Sequence, residues 1–164
     1  DLYCGAGRNK KRERSFHFSA VPVYDVSNVL VAHADDPMNP KSFADLAASN
    51  LSVGGYYGTA STSYLKRQKG LRVDENFTSL DEAMEAVVQG RRIRFFFYHD
   101  LGLYYLVKTS ELPLRVVPTK FRSYSHWMLY SGHTSLHARN LVDRRLKKMV
   151  ENGEVEKILA AYRP

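Results

Sequence analysis

The sequence predicts an α/β fold with a mainly parallel sheet, and three observations carry that prediction. Strand-like apolar runs alternate with capped helical segments over residues 29–98. The run after Arg94 is apolar at nearly every position through Tyr98, as in a strand buried on both faces. Hydroxyl residues crowd the point near Thr59 where a strand gives way to a helix.

In chain order, residues 1–7 read as a strand ending in the glycine-permitted turn Gly5-Ala6-Gly7. The charged stretch 8–14 reads as a loop or exposed turn. Pro22 marks the segment from Phe16 to Tyr24 as extended surface, not a central strand. Residues 29–32 form a short apolar strand, broken by Asp35-Asp36-Pro37 and Asn39-Pro40. Ser42, with Asp45 three residues on, caps a short helix carrying Phe43, Leu46 and Ala47 on one face. Residues 51–57 are strand-like, the helix holding Tyr64 and Leu65 stops near Gly70, and residues 71–73 are the next strand.

Ser79 and Glu82 make a capping box for a helix with a stripe of Leu80, Ala83, Met84, Val87 and Val88, closed by Gly90. Residues 93–98 are an aromatic strand. Residues 101–107 fit strand or helix and are read as helix. Residues 114–117 and 127–130 read as two further strands. From Ser135 the pattern is helical, with Val142, Leu146, Met149 and Val150 on one face. Asn152-Gly153 stops that helix, and residues 154–162 make a last one with Val155, Ile158 and Leu159 buried.

Composition narrows the function. With 164 residues and 44% hydrophobic content, the chain holds one ordinary core or two small ones. No run approaches the ~18 apolar residues of a membrane helix, and no basic-then-apolar leader precedes the first strand. Cys4 is the only cysteine, so no internal disulfide forms, and a lone thiol near a terminus reads as inert. The net charge of +7 gathers at Lys10-Lys11-Arg12 with Arg14, at Arg91-Arg92 with Arg94, and at Arg144-Arg145 with Lys147-Lys148. Such clusters attract phosphates or anionic membranes when they converge, and are solvated helix ends when they do not. Glu13, Glu151 and Glu154 stand close enough in sequence to pair with them.

Ligands of open α/β sheets collect beyond the carboxyl ends of the strands. Two places answer to that description. At Gly58-Thr59-Ala60, helix-terminal amides and the Thr59 hydroxyl can receive a carboxylate. Asp100, directly after an apolar strand, can accept from an ammonium or guanidinium group. Together they would clamp a zwitterion. Each also has a plainer reading, as the cap of the helix that follows it. Phe16, Phe18, Tyr24, Tyr56 and Tyr57 can wall a cleft or pack as rim residues. His133 and His137 lack a third ligand, His99 and Asp100 would point to opposite faces of a strand, and no nucleophile elbow is present. No catalytic residue, metal or cofactor is expected.

The order of these motifs resembles the polar amino-acid type of periplasmic solute-binding protein, extracellular family 3. The resemblance rests on Glu13-Arg14, Phe18-Ser19 and Pro22-x-Tyr24, then the crossing strand at residues 29–32. It continues through Asp45-Leu46 and Val53 to Gly58-Thr59, through Ser79 to Gly90-Arg91, and ends with the closing helices of residues 136–162. It spans essentially the whole chain. It implies a type II periplasmic-binding-protein-like fold of two lobes with mainly parallel sheets. Residues 32–112 would form lobe 2, and residues 1–31 and 113–164 a partial lobe 1.

The family likeness further implies non-catalytic binding of a small, amino-acid-like solute outside the cytoplasm, for a membrane transporter or a sensor. Thr59 resembles the hydroxyl that holds the solute carboxylate and Asp100 the acid that holds its ammonium, with Gly58, Ala60, Tyr24 and Tyr56 around them. Two departures stand out. Complete members carry a further strand-helix-strand portion before the segment matching residues 1–7, bearing an aromatic ring and usually an arginine for the solute carboxylate. Arg94 also stands where the family usually has an aspartate. An incomplete lobe 1 exposes sheet edges, which a dimer, strand exchange or an associated segment would cover. The alternatives are a module of the same fold without a working site, or a protein that uses its basic clusters on an anionic surface or nucleic acid.

Overall fold

The computed structural model describes residues 1–163. The chain divides into two compact units, one of residues 1–26 and 123–163, the other of residues 27–122. Two strands carry the chain across, β3 (Tyr24–His33) and β7 (Leu114–Tyr130).

In the second unit the elements after β3 are α2 (Phe43–Ala48), β4 (Ser52–Tyr56), α3 (Ala60–Leu65), β5 (Arg72–Phe77), α4 (Leu80–Gln89), β6 (Phe95–His99) and α5 (Asp100–Thr109). The strand order runs from β7 through β3, β6 and β4 to β5. β4 is parallel to both neighbours, with Val53 opposite Val73 and Phe95. β3 is antiparallel to β6, with Asn28 opposite His99.

Period-two alternation splits the core between the sheet faces. Val29, Val31 and Phe96 join Met84, Val87 and Leu103 on one face. Leu30, Ala32, Phe95 and Phe97 join Leu46, Val53 and Leu65 on the other. All three phenylalanines of β6 are fully buried, which is why that strand reads as a continuous apolar run. Each contributes on the order of 1.5–3 kcal/mol through burial. β4 supplies Gly54 and Gly55 where bulk has no room: a Cβ on Gly54 would stand 2.6 Å from Ile93 Cδ1.

In the first unit β1 (Leu2–Gly7) and β2 (His17–Phe18) pair antiparallel with β7, and α1 (Lys10–Glu13), α6 (Leu136–Glu151) and α7 (Glu154–Ala160) complete it. Its core is thin. Tyr130 is fully buried and donates to Asp143, whose carboxylate, after desolvation, holds the phenol well above its ordinary range. Leu136, Leu141 and Ile158 remain more than half exposed.

Several sequence expectations differ from the fold, among them the turn at Gly5-Ala6-Gly7, which is the bulged end of β1. Residues 8–14 contain a one-turn helix, because Asn9 caps it by accepting from Arg12 N at 2.9 Å and Arg8 pairs with Glu13. Residues 114–117 and 127–130 belong to one 17-residue strand. No residue between Val117 and His126 is fully buried, so the hydropathy alternation that marks a strand is missing there. Ser79 does cap α4, yet Glu82 reaches Arg92 at 3.4 Å; the complete capping box is the one formed by Ser42 and Asp45. Finally, Ile158 is 56% exposed, not buried, since it lies on an open apolar groove.

Candidate functional site

The site builds from the carboxyl ends of the parallel strands β4 and β6. β4 leads through Gly58, at φ 70°, to Thr59, which caps α3. Thr59 Oγ1 accepts from Thr62 N at 3.2 Å and lies 3.0 Å from Tyr56 O and 3.0 Å from Thr62 Oγ1. Thr62 Oγ1 donates to Tyr56 O at 2.7 Å. The turn is close-packed because Gly55 carries no side chain where Thr62 lies. The cap reading of Thr59 is therefore met. Its single hydroxyl proton is engaged within this turn, which leaves the oxygen to act as an acceptor.

β6 runs in parallel beside β4, Gly55 opposite Phe97, and hands over directly to α5. Here the sequence reading needs correction. His99 and Asp100 are not successive strand residues on opposite faces. His99 is the cap of α5: its Nδ1 accepts from Gly102 N at 3.1 Å, and its ring lies 4.2 Å from that of Tyr98. A Cβ on Gly102 would stand 2.7 Å from His99 Cε1, so the glycine makes room for this cap. Burial pushes the His99 imidazole below its ordinary value, which favours the neutral ring, and the Gly102 N–H makes Nδ1 its accepting nitrogen. Asp100 is the first residue of α5, 8% exposed, with Oδ1 accepting from Leu101 N at 2.9 Å. The neighbouring Tyr104 hydroxyl is pushed up, first by desolvation and then by the Asp100 charge.

Thr59 and Asp100 thus stand just beyond the carboxyl ends of adjacent parallel strands in one unit, with Gly58 and Ala60 flanking the first. Tyr56 belongs to the same edge, its ring 6.0 Å from Tyr98 and its hydroxyl donating to Thr78 O at 2.6 Å. Tyr24 lies in the other unit, packed 5.3 Å from His126.

Asn28 and Ser61 escaped the sequence reading. Asn28 is fully buried, and its Nδ2 donates to Ser61 Oγ at 2.9 Å, joining β3 to α3. The available signal was a Ser-Asn pair at the head of an apolar strand, where polar side chains need a reason.

Arg94 is at the other end of β6. It grips Asp36 with two nitrogens, one at 2.7 Å from Oδ1, while Arg115 holds Asp36 O and Met38 O. Much of the remaining charge is also paired: Arg92 with Asp74, Arg145 with Glu154, Lys147 with Glu151. Among the described residues no group of three His, Cys, Asp or Glu could hold a metal, and no helix is long and apolar enough to cross a membrane.

No family model and no curated protein matches the chain. Solved structures do. An amino-acid ABC transporter substrate-binding protein from Streptococcus pneumoniae bound to L-arginine is similar over 96% of this chain and 65% of its own, with TM-score 0.82 and 19% identity. The GluR0 ligand-binding core in complex with L-glutamate is similar over 98% of this chain and 70% of its own, with TM-score 0.82 and 13% identity. An ancestral arginine-binding protein bound to glutamine is similar over 96% and 68%, with TM-score 0.77 and 20% identity. The fold is that of the type II periplasmic binding proteins, as the order of sequence motifs indicated. The chain spans less than two thirds of the length of the Streptococcus pneumoniae protein.

Proposed function

We propose that the protein binds a small amino-acid-like solute without catalysis, on the extracytoplasmic side, for uptake or sensing. One observation carries the reading: Thr59 and Asp100 end adjacent parallel strands, where ligands of such sheets collect. Asp100 takes the solute ammonium, and the start of α3 around Gly58, Thr59 and Ala60 takes its carboxylate. Tyr56 lends an aromatic wall beside them. The arginine, glutamate and glutamine held by the three similar structures support a zwitterionic solute.

Calorimetric titration with these three amino acids tests the proposal. Asp100→Ala should weaken binding of the preferred one by at least tenfold, as loss of a buried charge contact of ~2–5 kcal/mol requires. An unchanged affinity removes Asp100 from the site, and no heat with any amine-bearing solute defeats the reading. A module of the same fold without a working site is the second reading. It is favoured by the internal engagement of the Thr59 hydroxyl proton.

A further inference from the structure

Asn28 has no exposed surface, yet it is polar and stands at the head of the apolar run of β3. Alternation sets its side chain on the face of Leu30 and Ala32, which α3 covers through Leu65. There Nδ2 donates to Ser61 Oγ at 2.9 Å, whereas Oδ1 has no hydrogen-bond partner among the described residues. A buried carbonyl without a donor is costly, and a leucine of similar size would fill the space without that cost. What the amide supplies and a leucine cannot is a directional link to the first turn of α3.

The same residue also reaches the other half of the solute site. Asn28 stands opposite His99 in the antiparallel pairing of β3 and β6, and Asp100 follows His99 directly. On the first half, Thr62 fits α3 against β4 at Gly55, and Ser61 ties it to β3. One residue of β3 therefore holds the helix beside Thr59 by its side chain and lies beside the start of α5 by its strand pairing. Asn28, Ser61, Thr59 and Asp100 all belong to the second unit.

We propose that Asn28 is a positioning residue: through Ser61 it fixes the separation between the Thr59 turn and Asp100. The turn takes the solute carboxylate and Asp100 its ammonium, so a fixed separation makes the site selective for one amine-to-carboxylate spacing. This role rests on the solute reading proposed above. Without the link, the Thr59 turn moves with β4 and is no longer tied to β3, and solutes of neighbouring spacing become nearly equivalent.

Calorimetric titration with L-arginine, L-glutamine and L-glutamate measures that selectivity, each beside its β-homologue with one methylene more between amine and carboxylate. The parent should prefer the α-form of its best solute by about tenfold or more, the range a methylene commands. Asn28→Leu, alone and combined with Ser61→Ala, should bring the ratio within about threefold, while urea melts show no loss of stability. A residue that only packs would shift stability and leave the ratio alone. Should Asn28→Leu fail to fold, Ser61→Ala removes the same link and is read in the same way. A parent that binds none of these compounds defeats the solute reading and this role with it. A parent that binds but does not distinguish the two forms, or a folded variant that keeps the full ratio, overturns the role of Asn28 alone.

Discussion

Thr62 fills the space that a side chain at Gly55 would need: a Cβ there would lie 2.6 Å from Thr62 Oγ1 and 2.8 Å from its Cγ2. Through this contact β4 sets the position of α3, and with it the Thr59 turn. Gly55→Ala should push the start of α3 away from the strand, costing about 1–3 kcal/mol as overpacking does. Solute affinity should fall in the same variant. Urea melts and titration together check this; a variant as stable as the parent would mean that Thr62 has room to move.

Thr59 offers a way to separate capping from recognition. Thr59→Ala removes the acceptor for Thr62 N and should destabilise the protein by about 1 kcal/mol. Thr59→Ser keeps that acceptor and should recover most of the loss. If the turn also holds the solute carboxylate, the alanine variant should bind at least tenfold more weakly even where it is fully folded, and the serine variant should not. Equal affinity of folded alanine and parent proteins would leave Thr59 a cap and nothing more.

Much of this architecture was legible because burial imposes a period. The alternation of Val29, Leu30, Val31 and Ala32 across two helix-covered faces, and the all-apolar β6, mark a central strand system without reference to any partner. Local capping was legible where one side chain decides it, as at Ser42, Thr59 and Ser79. The middle of β7 was not, since residues 118–125 bury no side chain fully and carry no alternation. His99 was missed as a cap because its role depends on Gly102 three residues later, a pairing outside the usual serine, threonine and aspartate signals. Asn28 and Ser61 lie 33 residues apart and meet only once β3 and α3 are packed.

His99 gives a pH dependence of definite sign. Burial lowers its folded value below the ordinary 6.5, so the unfolded chain binds this proton more readily than the folded one. Stability is then complete above about pH 6.5 and declines as pH falls towards the folded value, the folded state resisting a charge at Nδ1. His99→Asn keeps a capping acceptor and removes the titration. Its stability should be flatter than that of the parent between about pH 7 and 5 in melts across this range. A parent whose stability is level through that window would show that protonated His99 is accommodated.

The clamp at the far end of β6 should also lose its contribution as pH falls, over a more acidic range. The Arg94 guanidinium, with help from Met38 N, holds the Asp36 carboxyl below its ordinary 3.8. Its contribution is therefore present above that value and is lost as pH falls through the folded one. Arg94→Met keeps the aliphatic stem but strands a carboxylate whose side chain is 9% exposed. The loss should be about 2 kcal/mol at neutral pH, below the figure for a wholly buried pair because Arg94 itself is a third exposed. It should shrink at pH 3, where Asp36 is closer to neutral. Asp36→Asn combined with Arg94→Met should be less harmful than the two single losses added together. Because the clamp sits at the opposite strand end from Thr59 and Asp100, Arg94→Met should leave solute affinity unchanged. A large loss of affinity in a fully folded variant would instead make Arg94 part of the binding machinery.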